Sequence, residues 1–354
     1  MSKKFLSLIL LLVLILGLSY FFSNPKSVNS IQNRTFFLST SSINLSLQKQ
    51  AELNYLTQLS NSTKVIIGQE LGDFGWNEKN TRQNYYNIKN KLNITTKVIG
   101  FNLGWDEIVY PSLETLDLMV NFSAQGGIIT FSMHPRNPVT KTNVGDRTSG
   151  EEAISRILVN ITLEHEDWIK QMNIIADSFR YLEQHQVIVL FRPYHEMNGD
   201  WFWWGQRSRE DYIQLWKQTH DYLTITKNLT NILWIYSPNV NIRGNNYLTD
   251  YYYPGNDYVD LINLDYYFDD STQLNMNNSF TRVLKYHKPL VMEAGPGKNR
   301  DGSFNTAQYL DYKRQFPQIA YILLWNSWPG SKMSLVDTKN SNKLLQNERV
   351  IVLG

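Results

Sequence analysis

The sequence contains no cysteine, and this absence excludes several classes of protein at once. Without a thiol the chain can form no disulfide, no thiolate metal site, no cysteine nucleophile and no lipidated cysteine of the bacterial lipoprotein type. The sequence also lacks a dense block of lysine and arginine, and its formal net charge at pH 7 is only +2. A protein that tracks a phosphate backbone needs such a block, so we expect no nucleic-acid partner.

Aromatic residues, by contrast, are abundant. Phe, Tyr and Trp make up 13% of the 354 residues, with 10 Trp and 21 Tyr. A chain of this length is long enough for one large domain or two ordinary ones, and its aromatic content exceeds what the core of such a domain needs. Flat rings suit ligands that present C–H faces, as sugar rings do.

The N-terminus carries a long apolar run. Lys3 and Lys4 precede an uncharged stretch at residues 5–22, which is about as long as a bilayer core requires, roughly 18 to 20 residues. A cleaved signal peptide has a shorter apolar region followed by small residues, whereas bulky aromatic residues stand at 20–22. We therefore favour an uncleaved membrane anchor over a cleaved signal peptide. In either case the lysines remain inside, so the rest of the chain is expected to be extracytoplasmic.

The composition divides the chain into three parts. Residues 1–23 are the membrane anchor or signal sequence. Residues 24–63 are polar and are interpreted as a spacer that ends in a lead-in helix near Leu45 to Leu59. Residues 64–354 form the expected folded domain.

From Lys64 onward, short apolar runs alternate with longer stretches of helical spacing. The eight runs begin at Lys64, Thr96, Gly126, Val187, Asn231, Tyr258, Lys288 and Ile319. Continuous apolar strands that alternate with helices predict a parallel sheet covered by helices. Eight such units predict a closed (β/α)8 TIM barrel. An open doubly wound sheet is the alternative, but no glycine-rich phosphate turn follows the first run.

Polar and aromatic residues stand at the C-terminal ends of these runs. In a (β/α)8 barrel the chemistry lies at that end of the strands, so these residues are the candidates for the functional site. They are Glu70, Trp105, His134, His195, Glu196, Tyr266, Glu293 and Trp325.

Two glutamates, Glu196 and Glu293, end the fourth and seventh predicted strands. Glycoside hydrolysis requires such a pair, one carboxyl to protonate the leaving oxygen and the other to attack the anomeric carbon. A structural salt bridge with Arg192 is the alternative role for Glu196. A zinc H-E-x-x-H site is excluded, because Gly199 stands where the second histidine should be.

Several tryptophans follow the strand ends. Trp201, Trp203, Trp325 and Trp328 lie among Gly, Asp, Asn and Pro, so stacking on sugar faces is favoured for them. For Trp204, packing in the core and stacking on a sugar are equally good explanations.

Three polar residues near the strand ends have two possible roles each. His134 and Asn137, in the segment SMHPRNP, are either structural or contact a substrate hydroxyl. Tyr266, in LDYYFDD, either packs in the core or orients the Glu293 carboxylate.

The stretch RPYHEMNGDWFWWG, residues 192–205, resembles the signature of glycoside hydrolase family 26, which is best known for β-mannanases. The segments SMHPRNP, YPGNDYVDLINLDYY, VMEAGP and LLWNSW follow the family order over about residues 64–353. The resemblance implies a retaining hydrolase of internal β-1,4-mannosidic bonds, with Glu196 as proton donor and Glu293 as nucleophile. It also implies a surrounding shell of His134, Arg192, His195, Tyr266 and Trp325. We interpret the residues of this shell as substrate-binding residues, and we add Trp105, Asn137 and Trp201 to them.

The sequence departs from the family pattern at three positions. Tyr194 stands where the signature often has Phe, Ala294 replaces a bulkier residue after the nucleophile, and Asn102 occupies a position that is often acidic. These departures do not change the expected reaction type, but they leave the identity of the polysaccharide substrate undecided. A β-1,3-xylanase, a mixed-linkage β-glucanase and a non-catalytic glycan-binding barrel are the alternatives. We expect a monomer without metal or cofactor that acts on a polysaccharide and meets the membrane through residues 5–22.

Overall fold

The computed structural model describes residues 44–240, 248–268, 273–298 and 300–353. The predicted anchor or signal sequence and the spacer up to residue 43 lie outside the described residues. No helix within the described ranges combines the length and the apolar character needed to cross a membrane. Residues from Gln48 onward form one compact unit, which contains the barrel and the candidate site.

Eight parallel strands form a barrel at the positions of the eight predicted apolar runs. They are β1 (Val65–Asp73), β2 (Val98–Asp106), β3 (Ile128–Pro135), β4 (Val189–Arg192), β5 (Ile232–Tyr236), β6 (Leu261–Phe268), β7 (Leu290–Pro296) and β8 (Ile319–Leu324). Each pairs with the next along the chain, and β1 also pairs with β8, with Ile66 opposite Tyr321. This last pairing closes the sheet. The predicted (β/α)8 barrel is confirmed, and the open doubly wound alternative is wrong.

Helices cover the outside of the barrel. They are α1 (residues 44–60), α2 (Phe74–Leu92), α3 (Leu113–Ala124), α4 (Glu152–Leu158), α5 (Leu163–Gln184), α6 (Arg209–Asp221), α7 (Gln273–Leu284), α8 (Gln308–Gln315) and α9 (Ser341–Leu345). Ser112, Thr162 and Ser208 cap α3, α5 and α6, because each side-chain oxygen accepts a hydrogen bond from a backbone N–H three residues on. These caps explain why the helices begin where they do.

Short additional elements complete the fold. A π-helical turn at Tyr222–Thr226 continues α6, and a 3₁₀ turn at Asn256–Tyr258 precedes β6. Two short strands, Thr95–Thr96 and Val350–Leu353, pair with each other, and the second also pairs with β1.

Both faces of the barrel strands are buried, as expected for a parallel sheet inside a layer of helices. Along β1, Ile66 packs in the barrel interior with Val98 and Val291, whereas Ile67 packs outward with residues of the helices. Side chains two positions apart on a strand point to the same side. This alternation decides which polar side chains of the regular parts of the strands face the barrel interior, whereas the pairing is irregular between Glu70 and Asp73 and between Asn102 and Trp105.

Helix α1 packs against the N-terminal end of the barrel. Leu56 and Leu59 are buried in the same interior apolar cluster as Ile66. The buried ammonium of Lys313, on α8, donates hydrogen bonds to the carbonyls of Leu59 and Ile319 at 3.1 and 2.9 Å. The predicted lead-in helix is therefore present, and its C-terminal part belongs to the folded unit together with the barrel.

Candidate active site

The turn after β4 directs two charged side chains into the mouth of the barrel. Arg192 ends β4 and points to the same side as the interior residue Leu190. In the following turn, Tyr194 and Glu196 have positive φ values of 43° and 53°, which non-glycine residues rarely adopt without local support. Part of this support is the hydrogen bond from the Glu196 N–H to the Ser237 carbonyl, at 2.6 Å. The backbone of Glu196 is thereby fixed next to the end of β5.

The Glu196 carboxyl is buried, and both of its oxygens accept hydrogen bonds. Trp201 Nε1 donates to Oε2 at 2.6 Å, and Asn239 Nδ2 donates to Oε1 at 2.7 Å. Asn198 holds Asn239 in place, because it donates to the Asn239 carbonyl at 2.7 Å and accepts from the Asn239 N–H at 2.8 Å. Burial, reinforced by the charge of Asp265, raises the pKa of Glu196 to about 8. At neutral pH Glu196 is therefore mainly a protonated acid.

Arg192 is a buried cation shared between two carboxylates. Its Nη1 donates to Asp265 Oδ1 at 2.9 Å, and its Nη2 forms an ion pair with Glu293 Oε2. Each of these three residues is at most 5% exposed. Asp265 also accepts hydrogen bonds from Ser237 Oγ at 2.6 Å and from Asn263 Nδ2 at 2.9 Å. Glu293, at the end of β7, thus lies beside a firmly held guanidinium.

Four buried carboxyls surround the Arg192 guanidinium: Glu70, Glu196, Asp265 and Glu293. Burial raises the pKa of each, because an ionised carboxylate loses its hydration. Among the described residues, Asp265 and Glu293 alone form ion pairs with Arg192, so the guanidinium stabilises their ionised forms most. The negative charge of Asp265 in turn favours the protonated form of Glu196. Burial and the charges of Asp265, Glu70 and Glu196 raise the pKa of Glu293, within β7, well above its usual range, whereas its ion pair with Arg192 opposes this shift and favours the carboxylate.

Two buried imidazoles lie beside these carboxyls. The rings of His134 and His195 meet edge to face with centroids 4.6 Å apart, and Trp105 stacks on His134 with centroids 4.2 Å apart. Burial, assisted by the charge of Arg192, holds the pKa of both histidines well below the usual range, so both rings are neutral. Neither Nδ1 atom has a hydrogen-bond partner among the described residues. Each ring therefore keeps, beside the carboxyls, a buried polar atom without a hydrogen bond from the described residues.

Two cavities open on different sides of the mouth. The β1/β8 pocket has a volume of about 550 Å³, and the β4/β6 pocket has a volume of about 310 Å³. The β1/β8 pocket is lined mainly by Glu70, Asp73, Asn102, Trp105, Trp325 and Trp328. The β4/β6 pocket is lined by Glu196, Trp201, Asn239, Tyr267, Gly297, Lys298 and Arg300. An elongated ligand that crosses the mouth would contact aromatic rings on both sides.

The structure brings most of the predicted site residues together at this mouth. They are Trp105, His134, Arg192, His195, Glu196, Trp201, Glu293 and Trp325. Trp201 is 36% exposed, so it keeps a ring face for a ligand while its N–H contacts Glu196. Arg192 forms its ion pair with Glu293 and does not form the salt bridge with Glu196 that was the structural alternative.

Tyr266 does not lie in the mouth. Asp265 faces the interior, so Tyr266 faces the outer helices, and its hydroxyl lies 3.4 Å from that of Tyr312 on α8. Tyr267 is two positions after Asp265 and lines the β4/β6 pocket with Glu196. Burial raises the pKa of the Tyr267 phenol well above the usual range, so its hydroxyl stays protonated. The predicted contact with Glu293 is therefore corrected: Tyr267, and not Tyr266, is the tyrosine of the mouth.

The side chain of Asn137 forms hydrogen bonds within the loop after β3. Its Nδ2 donates to the Asp146 carbonyl and to Ser149 Oγ, both at 2.7 Å. Its Oδ1 accepts from the N–H groups of Val139 and Thr140 at 2.9 and 3.2 Å. These bonds engage both ends of a fully buried amide. Asn137 therefore shapes the loop, and the predicted contact with a substrate hydroxyl is not supported by its position.

Two of the tryptophans are packing residues. Trp203 is 1% exposed and donates to the Pro135 carbonyl at 2.7 Å. Trp204 is fully buried and donates to the His195 carbonyl at 2.8 Å. The packing role of Trp204 agrees with one of its predicted roles, whereas the expectation that Trp203 stacks on sugar is wrong because its ring has no exposed face.

Asp265, Asn239 and Tyr267 are among the residues of the mouth that were not predicted from the sequence. All three lie near the ends of apolar runs. Position near a strand end, which identified the two glutamates, could therefore have identified these residues as well. For the segment LDYY, however, the choice between Asp265, Tyr266 and Tyr267 depends on which of them points inward. That orientation follows from the pairing of β6 with its neighbours, with Asp265 opposite Glu293.

Cleavage of a glycosidic bond requires a carboxylic acid and a carboxylate on either side of the bond, and barrel enzymes hold such groups at the C-terminal ends of their strands. Fold and site together therefore indicate the class of the glycoside hydrolases. Comparison with known proteins makes the assignment specific. The model of glycosyl hydrolase family 26 matches residues 42–351, and the chain belongs to this family.

Individual relatives agree with this assignment. A mannan endo-1,4-beta-mannosidase of Bacillus subtilis is 32% identical over 321 residues, which cover 85% of each chain. Mannan endo-1,4-beta-mannosidase A and B of Caldalkalibacillus mannanilyticus is 35% identical over 232 residues, which cover 62% of this chain but 44% of that protein. The chain thus spans less than half of the latter relative. A solved structure of a Bacillus subtilis mannanase superposes with a TM-score of 0.76 at 26% identity, covering 87% of this chain and 93% of that one.

The described residues contain no cluster of three histidine or acidic side chains arranged to hold a metal ion. The four carboxyls at the mouth are instead organised around the Arg192 guanidinium.

Proposed function

We propose that the protein is an endo-acting β-mannanase that hydrolyses internal β-1,4-mannosidic bonds with retention of the anomeric configuration. Family membership and the names of the two relatives, both mannan endo-1,4-beta-mannosidases, support the substrate. The reaction type rests on the contrast between the two glutamates. Glu196 is an acid held by neutral donors, whereas Glu293 is paired with a guanidinium.

In the first step the Glu293 carboxylate attacks the anomeric carbon, and Glu196 gives its proton to the leaving oxygen. The glycosidic C–O bond breaks as the glycosyl ester of Glu293 forms. Arg192 favours the ionised form of the nucleophile before the attack. With a pKa of about 8, Glu196 still carries its proton at neutral pH.

In the second step Glu196, now a carboxylate, takes a proton from a water molecule that attacks the anomeric carbon. The ester bond to Glu293 breaks, and both glutamates return to their starting forms. Esterification has removed the negative charge of Glu293 from the cluster, which lowers the cost of ionising Glu196 during this step. Glu196 is thus favoured as an acid in the first step, and its ionised form becomes easier to reach in the second.

The position of the acid sets the direction of the bound polysaccharide. Because Glu196 protonates the leaving oxygen, the leaving part of the chain lies in the β4/β6 pocket with Trp201 and Tyr267. The sugar that remains on Glu293, and the sugars before it, extend toward the β1/β8 pocket. Trp105, Trp325 and Trp328 provide the aromatic surface of that pocket.

The assay that tests this function uses three polysaccharides: β-1,4-mannan, β-1,3-xylan and mixed-linkage β-glucan. We expect hydrolysis of mannan, a rapid fall in viscosity and a series of manno-oligosaccharides, as endo cleavage requires. Cleavage of xylan or glucan in preference to mannan would assign the substrate differently. If none of the three polysaccharides were hydrolysed, the protein would be a non-catalytic glycan-binding barrel and the proposal would be wrong.

We also propose that the barrel acts outside the cytoplasmic membrane and is anchored by residues 5–22. The support is the sequence alone: an uncharged run preceded by Lys3 and Lys4, with bulky aromatic residues in place of a cleavage site. Cell fractionation with the native N-terminus should place the protein in the membrane fraction, accessible to external protease. A soluble protein in the medium that begins after about residue 23 would show that the segment is a cleaved signal peptide.

A further inference from the structure

Glu70 is a third glutamate at the barrel mouth, and the proposed reaction does not use it. It lies on the interior side of β1, in line with Ile66, and lines the β1/β8 pocket. The residue is 2% exposed. Its Oε1 accepts one long hydrogen bond, from the Gly72 N–H at 3.4 Å, and no described residue donates a hydrogen bond to Oε2. The carboxyl therefore has unused hydrogen-bonding capacity next to a cavity.

The neighbouring strand leaves room for this carboxyl. A Cβ atom on Gly100 of β2 would lie only 2.2 Å from Glu70 Oε2, so any larger residue at that position would displace the side chain. Asn102, two residues further on, is engaged with a different acid and donates to Asp73 Oδ2 at 2.7 Å. Gly100 and Asn102 thus accommodate Glu70 without pairing with it.

Three charged groups face Glu70 from the elements around it: Arg192 from β4, Asp73 from β1 and Glu293 from β7. The negative charge of Asp73 disfavours a further negative charge at Glu70, whereas the positive charge of Arg192, which is shared with Asp265 and Glu293, favours one. Burial is the largest influence and raises the pKa of Glu70 to about 8. At neutral pH the carboxyl is therefore mainly neutral and carries a hydroxyl proton.

We propose that Glu70 is a substrate-binding residue whose protonated carboxyl donates a hydrogen bond to an oxygen of the sugar held against Trp105 and Trp325. This inference rests on the proposed function, which places the retained sugars in the β1/β8 pocket. A sugar that covers the pocket removes the remaining water from Glu70, so the neutral form is favoured further and its proton needs an acceptor. Above the pKa the sugar would instead cover an anion that no described residue neutralises by direct contact, and binding would weaken.

The test is the affinity for mannotetraose in the full chain carrying Glu196→Gln, which lacks the acid needed to cleave the ligand but keeps the ion pair between Arg192 and Glu293. Calorimetric titrations between pH 6.5 and 9.5 compare Glu70 with Glu70→Gln and Glu70→Leu in this background. The glutamine amide can donate at every pH, so we expect its affinity at pH 6.5 to be within about twofold of that with Glu70. Glu70→Leu should bind about tenfold more weakly. Between pH 6.5 and 9.5 the affinity should fall about tenfold with Glu70 and stay constant with Glu70→Gln.

Glu52→Gln is the matched control. Burial raises the pKa of Glu52 to about 7, but this residue lies on α1, in a separate cavity with Tyr55 and Lys97. Its substitution should change neither the affinity nor its pH dependence.

Two results would overturn the inference: equal affinity of the Glu70 and Glu70→Leu proteins, or the same pH dependence with Glu70 and with Glu70→Gln. Thermal unfolding of each variant verifies that the proteins compared are folded, and the nearly isosteric Glu70→Gln keeps the test decisive if Glu70→Leu is unstable. Failure of the proposed function is a separate observation, since the unsubstituted chain would then fail to hydrolyse β-mannan. If only the Glu70 inference fails, that hydrolysis remains intact.

Discussion

Trp201 donates its indole N–H to Glu196 Oε2 at 2.6 Å, so a ring with a face exposed to the cleft also contacts the acid. A hydrogen bond to a carboxyl oxygen stabilises the ionised form and lowers its pKa. The neighbouring Asp265 acts in the opposite direction, because its negative charge raises the same pKa. Burial has the largest influence on the pKa of Glu196, and these two neighbours, which act in opposite directions, can be changed one at a time.

Replacing Trp201 by Phe should raise the pKa of Glu196, since the ring remains but the hydrogen-bond donor is lost. Glu196 acts when protonated, so the alkaline limb of the kcat/KM profile should move to higher pH, while the maximum activity falls. The measurement is kcat/KM on manno-oligosaccharides across pH 5 to 10. Trp328→Phe is the control, because Trp328 contacts Arg300 and lines the other side of the mouth. An unchanged alkaline limb in Trp201→Phe would refute the prediction.

Asp265→Asn should move the same alkaline limb in the opposite direction. Loss of the negative charge lowers the pKa of Glu196, so the proton needed for the first step is lost at lower pH. Activity at the optimum should also fall, because Arg192 loses one of its two anionic partners. Asp250→Asn is the control, since Asp250 pairs with Lys285 away from the mouth. A limb that moves to higher pH in Asp265→Asn would contradict this account of the cluster.

The two adjacent tyrosines of β6 should respond differently to removal of the hydroxyl. Tyr267→Phe removes a protonated donor that lines the pocket of Glu196, and we expect kcat/KM to fall by about tenfold or more. Tyr266→Phe alters a side chain packed toward Tyr312, so activity should remain within about twofold. The measurement is kcat/KM of both variants on β-mannan, and thermal unfolding verifies that both are folded. Equal losses would show that the two roles are not separated by strand orientation.

A protein that begins at residue 64 should be less stable than one that begins at residue 44. Leu56 and Leu59 are buried against the barrel interior, and burial of two leucine side chains contributes about 3 kcal/mol or more. The carbonyl of Leu59 also accepts a hydrogen bond from the buried Lys313. Chemical denaturation of the two proteins measures the difference in the free energy of unfolding. Equal stability would mean that α1 is not needed by the barrel.

The barrel could be predicted because its strands are short apolar runs in a regular alternation with helices. The position of Glu196 and Glu293 at strand ends was likewise visible in the sequence. The inward side of β6 was not, because it depends on pairing with a strand that is distant in the sequence. This is why the prediction chose Tyr266, whereas the structure places Tyr267 and Asp265 in the mouth.

The contacts that determine the charge state of the site could not be predicted for the same reason. Arg192 and Asp265 are 73 positions apart in the sequence, and their contact exists only after the barrel has closed. The hydrogen bonds of Asn137 within its loop also depend on contacts with other segments. The same is true of the burial of Trp203. Sequence therefore identified the residue types and their strand ends, while folding determined which side chains meet.

The central claim is the division of roles between Glu196 and Glu293, and azide rescue on an activated aryl β-mannoside tests it most directly. Glu196→Ala should still form the glycosyl ester, because this leaving group needs no protonation, and azide should then release β-mannosyl azide. Glu293→Ala lacks the nucleophile, so any rescue by azide should give the α-configured product. If Glu196→Ala gave no β-mannosyl azide while Glu293→Ala did, the roles would be reversed. An α-configured azide from Glu196→Ala, or a β-configured azide from Glu293→Ala, would contradict the account.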